Sequence, residues 1–162
     1  MIREILYYTS CHDSANLCHG PDMIEDLSTL RRQAFVYQPA EGFFIIAGRT
    51  SNDNEFISLK VAAADDLWFH VRGMPGSHVL LRSINGLEPD KKIIEIAAAT
   101  AVWHSKGRNG GITPVSMTQA RYVSKPSGSP KGTVCIRNEK VIKVRPAVLP
   151  EIKLRDELGD KI

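Results

Sequence analysis

The chain has 162 residues, 43% of them hydrophobic, which supports one domain with a real core and leaves no apolar run long enough for a membrane helix. Three cysteines make no disulfide framework, and the first eight residues are too short and polar for a secretory signal, so a soluble, cytoplasmic protein is expected. The net charge of +3 conceals a segregation: residues 1–95 hold nine Lys/Arg against thirteen Asp/Glu, whereas 96–150 hold nine Lys/Arg against one acid, Glu139. That imbalance predicts a basic face for a polyanion, with nucleic acid favoured over simple solvation.

Residues 1–33 read as an N-terminal appendage. Cys11-His12 and Cys18-His19 are seven apart, unlike the closer spacing of paired zinc ligands, so an incidental loop is the preferred reading. A helix is predicted over 21–32, with Pro21 in its first turn and Arg31 and Arg32 at its end. Phe35-Val36-Tyr37 and 42–48 form a predicted hairpin. A second helix is expected over 53–64, capped by Ser51 or Asn52.

The run 66–82 reads as a hairpin about Gly73-Met74-Pro75-Gly76. It carries Trp68, His70, Arg72, Ser77 and His78, more polar groups than packing requires. One of Trp68 and Phe69 faces the core, and an exposed ring there can stack on a base. The plainer readings are packing for the aromatics and backbone hydrogen bonding for the histidines.

Pro89-Asp90 opens a stronger helix with a broad apolar face, ending near Ser105-Lys106-Gly107. Trp103 is expected in the core, His104 as a partner of the helix dipole, and Lys106 and Arg108 in the loop beyond. A strand is predicted over 115–123, a turn-rich connector with Lys125 and Lys131 over 125–132, and a final hairpin pairing 133–137 with 141–145. The tail 147–162 is polar. Strands and helices in this order predict α+β: a mostly antiparallel sheet with two main helices packed against it. No nucleophile elbow, phosphate loop, dinucleotide fingerprint or deaminase signature is present, so no catalytic residue, metal ligand or cofactor is assigned.

Four blocks together resemble the NFACT-R domain, the RNA-binding module of the NFACT ribosome quality-control proteins. They are Gly48-Arg49-Thr50-Ser51-Asn52-Asp53-Asn54-Glu55; Asp66-Leu67-Trp68-Phe69-His70-Val71 with Pro75-Gly76-Ser77-His78-Val79; Glu95-Ile96-Ala97-Ala98-Ala99 with Ser105-Lys106; and Pro114-Val115-Ser116-Met117-Thr118 with Val123-Ser124-Lys125-Pro126 and Gly132-Thr133-Val134. The likeness runs in order over 34–146 and implies a stand-alone NFACT-R domain. Ser116-Met117-Thr118 replaces the family's Asp-Tyr-Thr. The expectation is an RNA-binding module for tRNA or rRNA, linked to ribosome-associated quality control or translation. Its contacts are expected from Arg49, Trp68, His70, Arg72, Ser77, His78, Lys106, Arg108, Lys125 and Lys131. The alternatives are an accessory protein delivering tRNA to an RNA-modifying enzyme, a His70/His78-based or metal-dependent enzyme, and a module that docks on ribosomal proteins.

Overall fold

The computed structural model describes residues 29–84 and 86–150. In chain order the elements are β1 (Ala34–Ala40), β2 (Phe43–Gly48), helix α1 (Ser51–Phe56), β3 (Leu67–Val71), β4 (Val79–Ser83), helix α2 (Lys91–Trp103), β5 (Thr113–Gln119), β6 (Val123–Ser124), β7 (Cys135–Ile136) and β8 (Lys140–Val144). Six strands form one antiparallel sheet in the order β1-β2-β4-β3-β5-β8, and β6 pairs with β7 in a separate ribbon. This is the α+β, mostly antiparallel architecture that the order of elements predicts.

The sheet buries both faces, which explains why β2 reads Phe43-Phe44-Ile45-Ile46-Ala47-Gly48 without a polar alternation. Phe43, Ile45 and Ala47 join Phe69, Val79 and Leu81 against α2. Phe44 and Ile46 join Trp68 and Leu80 on the opposite face, with Ile57 and Val61 beyond α1. Asp90 caps α2 by accepting the Ile93 N–H at 2.8 Å. Ala97, Ala98 and Ala101 are fully enclosed, and small side chains there let the helix approach the sheet closely.

The helix expected over 53–64 is shorter. Thr50 caps it, α1 gives way to a wider π-type turn over Ile57–Val61, and the backbone is no longer helical at Ala62. Asp66 supplies the reason: its carboxylate accepts the Ala63 N–H at 2.9 Å and binds Arg82 Nη2 at 2.6 Å, which draws the chain into β3. The predicted final hairpin is also corrected. Residues 135–136 pair with β6, while β8 pairs with β5. Ile136 packs on the α1 side of the sheet and Ile142 and Val144 on the α2 side, so the two segments serve different cores. Asn138, with φ of 53°, makes the change of direction.

Of the helix expected over 21–32, only Thr29 and Leu30 are described as helical, and Arg31 and Arg32 follow it in a turn. Cys11, His12, Cys18 and His19 lie outside the described residues, as do 151–162. Among the described residues no helix is long and apolar enough to cross a membrane.

Candidate nucleic-acid interface

The run 66–79 is not a closed hairpin. β3 and β4 pair only from Leu67–Leu81 to Phe69–Val79, and then the strands part. His70 and Val71 stay with Ser116 and Val115 of β5, and the chain turns at Gly73, whose φ of +72° suits glycine. Residues 75–78 then thread between β2 and the end of α2. The Gly48 N–H donates to the His78 carbonyl at 3.1 Å, Ser77 N–H to His104 at 2.9 Å, and Lys106 N–H to Pro75 at 3.3 Å. Asn54 holds this ridge from α1: Nδ2 donates to the Gly76 carbonyl at 3.3 Å, and Oδ1 accepts the His78 N–H at 3.0 Å. A Cβ on residue 48 would lie 2.2 Å from Asn54 Oδ1, so glycine is required there.

The ridge separates two recesses that share Ser51, Asn54, Pro75 and Gly76. On one side is an open cleft of about 550 Å³ lined by Arg49, Lys106 and Arg108. The Arg49 guanidinium sits 4.0 Å from the centre of the Phe35 ring, and that of Arg108 lies 3.9 Å from the Trp103 ring. Between them His104 stacks on Phe35 at 4.5 Å and shares a 2.7 Å hydrogen bond with the Tyr37 hydroxyl. Burial, with the charges of Arg108 and Arg49, pushes His104 down to about 4. That favours the neutral ring and weakens the partnership with the helix dipole expected of it. Trp103, expected in the core, is half-buried and carries Arg108.

On the other side lies a recess of about 410 Å³. Register puts Trp68, His70 and Ser116 on one face of the sheet, and His78 joins them: the His70 and His78 rings are 5.3 Å apart, and Trp68 is 6.0 Å from His70. Trp68 is only 2% exposed, and its Nε1 donates to Ser58 Oγ at 3.0 Å. Ser58 Oγ in turn lies 2.8 Å from His78 Nδ1. Burial and then the neighbouring His70 push His78 down to about 4, and burial lowers His70. Among the described residues no three His, Cys, Asp or Glu side chains converge as metal ligands.

The remaining expected contacts are distributed differently. Lys125 is paired with Glu55, and Lys131 Nζ is 3.2 Å from the same carboxylate, which also accepts the Gly132 N–H at 3.2 Å. The Lys125 hydrogen bond is the main cause holding the Glu55 carboxyl down at about 2. Arg72 Nε meets Glu139 at 3.3 Å, and Arg121 pairs with Asp65. Acids of the first half thus answer part of the basic segment, and 96–150 is not one uniform basic face. Ser77 is buried and donates its hydroxyl to the Gly48 carbonyl at 2.6 Å. Arg49, Lys106 and Arg108 converge on one cleft; His70, His78 and Lys131 line the other recess; Trp68 and Ser77 serve the interior. Asn54, Glu55, Ser58 and His104 are the organising residues that sequence reasoning missed. Asn54 and Glu55 lie in the block 48–55, but nothing in their spacing shows what they hold.

Comparison with known proteins gives a consistent setting. The family described as "NFACT protein RNA binding domain" matches residues 33–138. The Rqc2 homolog RqcH of Bacillus subtilis (strain 168) is 37% identical over 119 residues, covering 74% of this chain and 20% of that protein. The Rqc2 homolog RqcH of Streptococcus suis (strain 05ZYH33) is 33% identical over 102 residues, 63% of this chain and 18% of that protein. A solved structure of the C-terminal part of the fibronectin/fibrinogen-binding protein from Streptococcus suis is similar, with a TM-score of 0.64 and 26% identity, covering 90% of this chain and 55% of that one. The chain spans about a fifth of the length of the curated relatives it matches.

Proposed function

The chain belongs to the NFACT protein RNA-binding domain family, and from that premise we propose that it is a module for structured RNA, tRNA or rRNA, working in translation. Its similarity to Rqc2 homologs supports a setting in ribosome-associated quality control. The observation that carries the reading is the pair of guanidinium groups, Arg49 on Phe35 and Arg108 on Trp103, flanking a cleft with Lys106. An arginine laid on a ring loses less rotamer freedom when it meets a phosphate, and its planar fork suits two phosphate oxygens. Among the described residues neither Lys106 nor Arg108 is in an ion pair, so both are available to a polyanion.

Filter binding with tRNA and with an rRNA fragment over a salt series tests this. The expected result is a binding constant whose logarithm falls linearly with the logarithm of salt concentration, because each neutralised phosphate releases counterions. No binding at low salt, or binding indifferent to salt, overturns the proposal.

A further inference from the structure

The recess behind the ridge has no part in the phosphate reading, yet it is built from side chains that packing alone does not require. We propose that the recess walled by Trp68, His70, His78 and Ser116 receives one unpaired base of the RNA whose phosphates occupy the neighbouring cleft. This rests on the RNA-binding reading and adds to it a site for the base.

Three observations carry it. The first is continuity: Pro75-Gly76, with Ser51 and Asn54, lines both recesses, so a single stretch of backbone divides them. A nucleotide laid across that ridge puts its phosphate on the arginine side and its base on the histidine side. The second is the division of charge. The cleft is lined by Arg49, Lys106 and Arg108, whereas the recess is walled by the rings of Trp68, His70 and His78, whose centres lie 5.1 to 6.0 Å apart, and the lysine at its rim, Lys131, is answered by Glu55. A nucleotide has the same division, an anionic phosphate joined to an uncharged aromatic base. The third is size and polarity. About 410 Å³ lies in the range of small-ligand sites, and His70, which bonds the Gly76 backbone through one ring nitrogen, has its other nitrogen to offer a base edge. His70 is half-buried, whereas Trp68 and His78 are almost fully enclosed, so it is the ring placed to meet the base. A base stacked inside a duplex does not enter such a recess; an unpaired or splayed-out one does.

The test compares a single-stranded RNA oligomer with a duplex carrying the same number of phosphates, for the wild-type chain and for His70→Ala. The wild type is expected to favour the single strand by about tenfold, the order of one base stacked on a ring. His70→Ala is expected to abolish that preference while leaving duplex affinity and its salt slope unchanged. A second readout needs no variant: the ring-nitrogen NMR signals of His70 and His78 in the wild type should shift with the single strand and not with the duplex. Equal affinity for the two RNAs with unmoved imidazole signals overturns the base site and leaves the phosphate cleft standing. A loss in His70→Ala that is the same for both RNAs also overturns it, since His70 then only supports the cleft. Failure of the wild type to bind either RNA overturns both readings.

Discussion

Asn54 accepts the backbone N–H of His78 at 3.0 Å while its Nδ2 donates to Gly76 at 3.3 Å, so one side chain spans Ser77 and fixes the wall common to both recesses. Asn54 is 9% exposed and sits on α1, a helix of only six residues, so its place depends on the Thr50 cap and on the absence of a Cβ at Gly48. Site geometry and local stability are therefore coupled here.

Replacing Asn54 by Ala removes both hydrogen bonds and leaves the His78 N–H without a partner, while the Gly76 carbonyl keeps only the His70 ring. A group left buried and unpaired costs about 1–3 kcal/mol, so a destabilisation of about 1–3 kcal/mol is expected in urea unfolding. Asn54→Asp keeps an acceptor for His78 but presents a carboxylate oxygen to the Gly76 carbonyl, and should recover only part of the loss. A wild-type unfolding midpoint in Asn54→Ala would show that the ridge is held from elsewhere.

The basic residues separate into two classes that a mutation series can distinguish. Lys106 and Arg108 line the cleft and are exposed. Lys106→Ala with Arg108→Ala should reduce the salt slope of RNA binding by about 2 and leave the melting temperature almost unchanged. Lys125 is paired with Glu55 and its side chain is only 25% exposed. Lys125→Ala should lower the melting temperature while changing the salt slope much less. If the two variants exchange these effects, the cleft is not where the phosphates bind.

The contrast shows what was legible in the chain. The sheet, α2 and the Asp90 cap follow from periodicity and local residue chemistry, which short-range spacing records well. Clustering of Arg49 with Lys106 and Arg108 joins segments nearly 60 residues apart, and long-range contacts such as the Gly76–Ser105 bridge and the stack of His104 on Phe35 bring them together. Glu55 is invisible to a charge count, which adds Lys125 and Lys131 to a basic segment without showing that an acid of α1 holds both. The 133–145 error has the same origin: two short strands with a turn between them read as a hairpin, but their apolar residues belong to opposite faces of the sheet. Trp68 and Phe69 alternate as expected, yet both sides of the sheet are covered, so neither ring is left outside.

Two histidines, buried His78 and half-buried His104, give the acid limb of stability a definite window. His78 and His104 each titrate at about 4 in the folded chain, against 6.5 in an unperturbed one. The unfolded chain therefore takes up protons first. The stability is whole above about pH 6.5, declines as pH falls towards 4, and has no further contribution from these groups below that. For His78, which is 3% exposed, the full decline is on the order of 3 kcal/mol. Unfolding free energies measured from pH 7 to pH 4 should show this slope, and His78→Gln should flatten it. An identical slope in that variant would remove His78 as its source.

Glu55 has the opposite sense and a lower window. Its carboxyl is held down at about 2 from 4.5 by the Lys125 hydrogen bond, with further help from Gly132 and Lys131. The folded state prefers the charged form, so the contribution is present above about pH 4.5 and is lost as pH falls through the folded value near 2. Glu55→Gln removes it at every pH. It also frees the segment 131–132, which lines the histidine recess, while releasing two cations that the carboxylate had answered. These consequences act on RNA in opposite directions. Two freed lysines should raise non-specific duplex affinity and steepen its salt dependence, whereas a loosened 131–132 segment should weaken the preference for single-stranded RNA. Parallel titrations of Glu55→Gln with the two RNAs should show affinities that converge from both sides. An unchanged ratio would mean that the carboxylate stabilises the fold without shaping the recess.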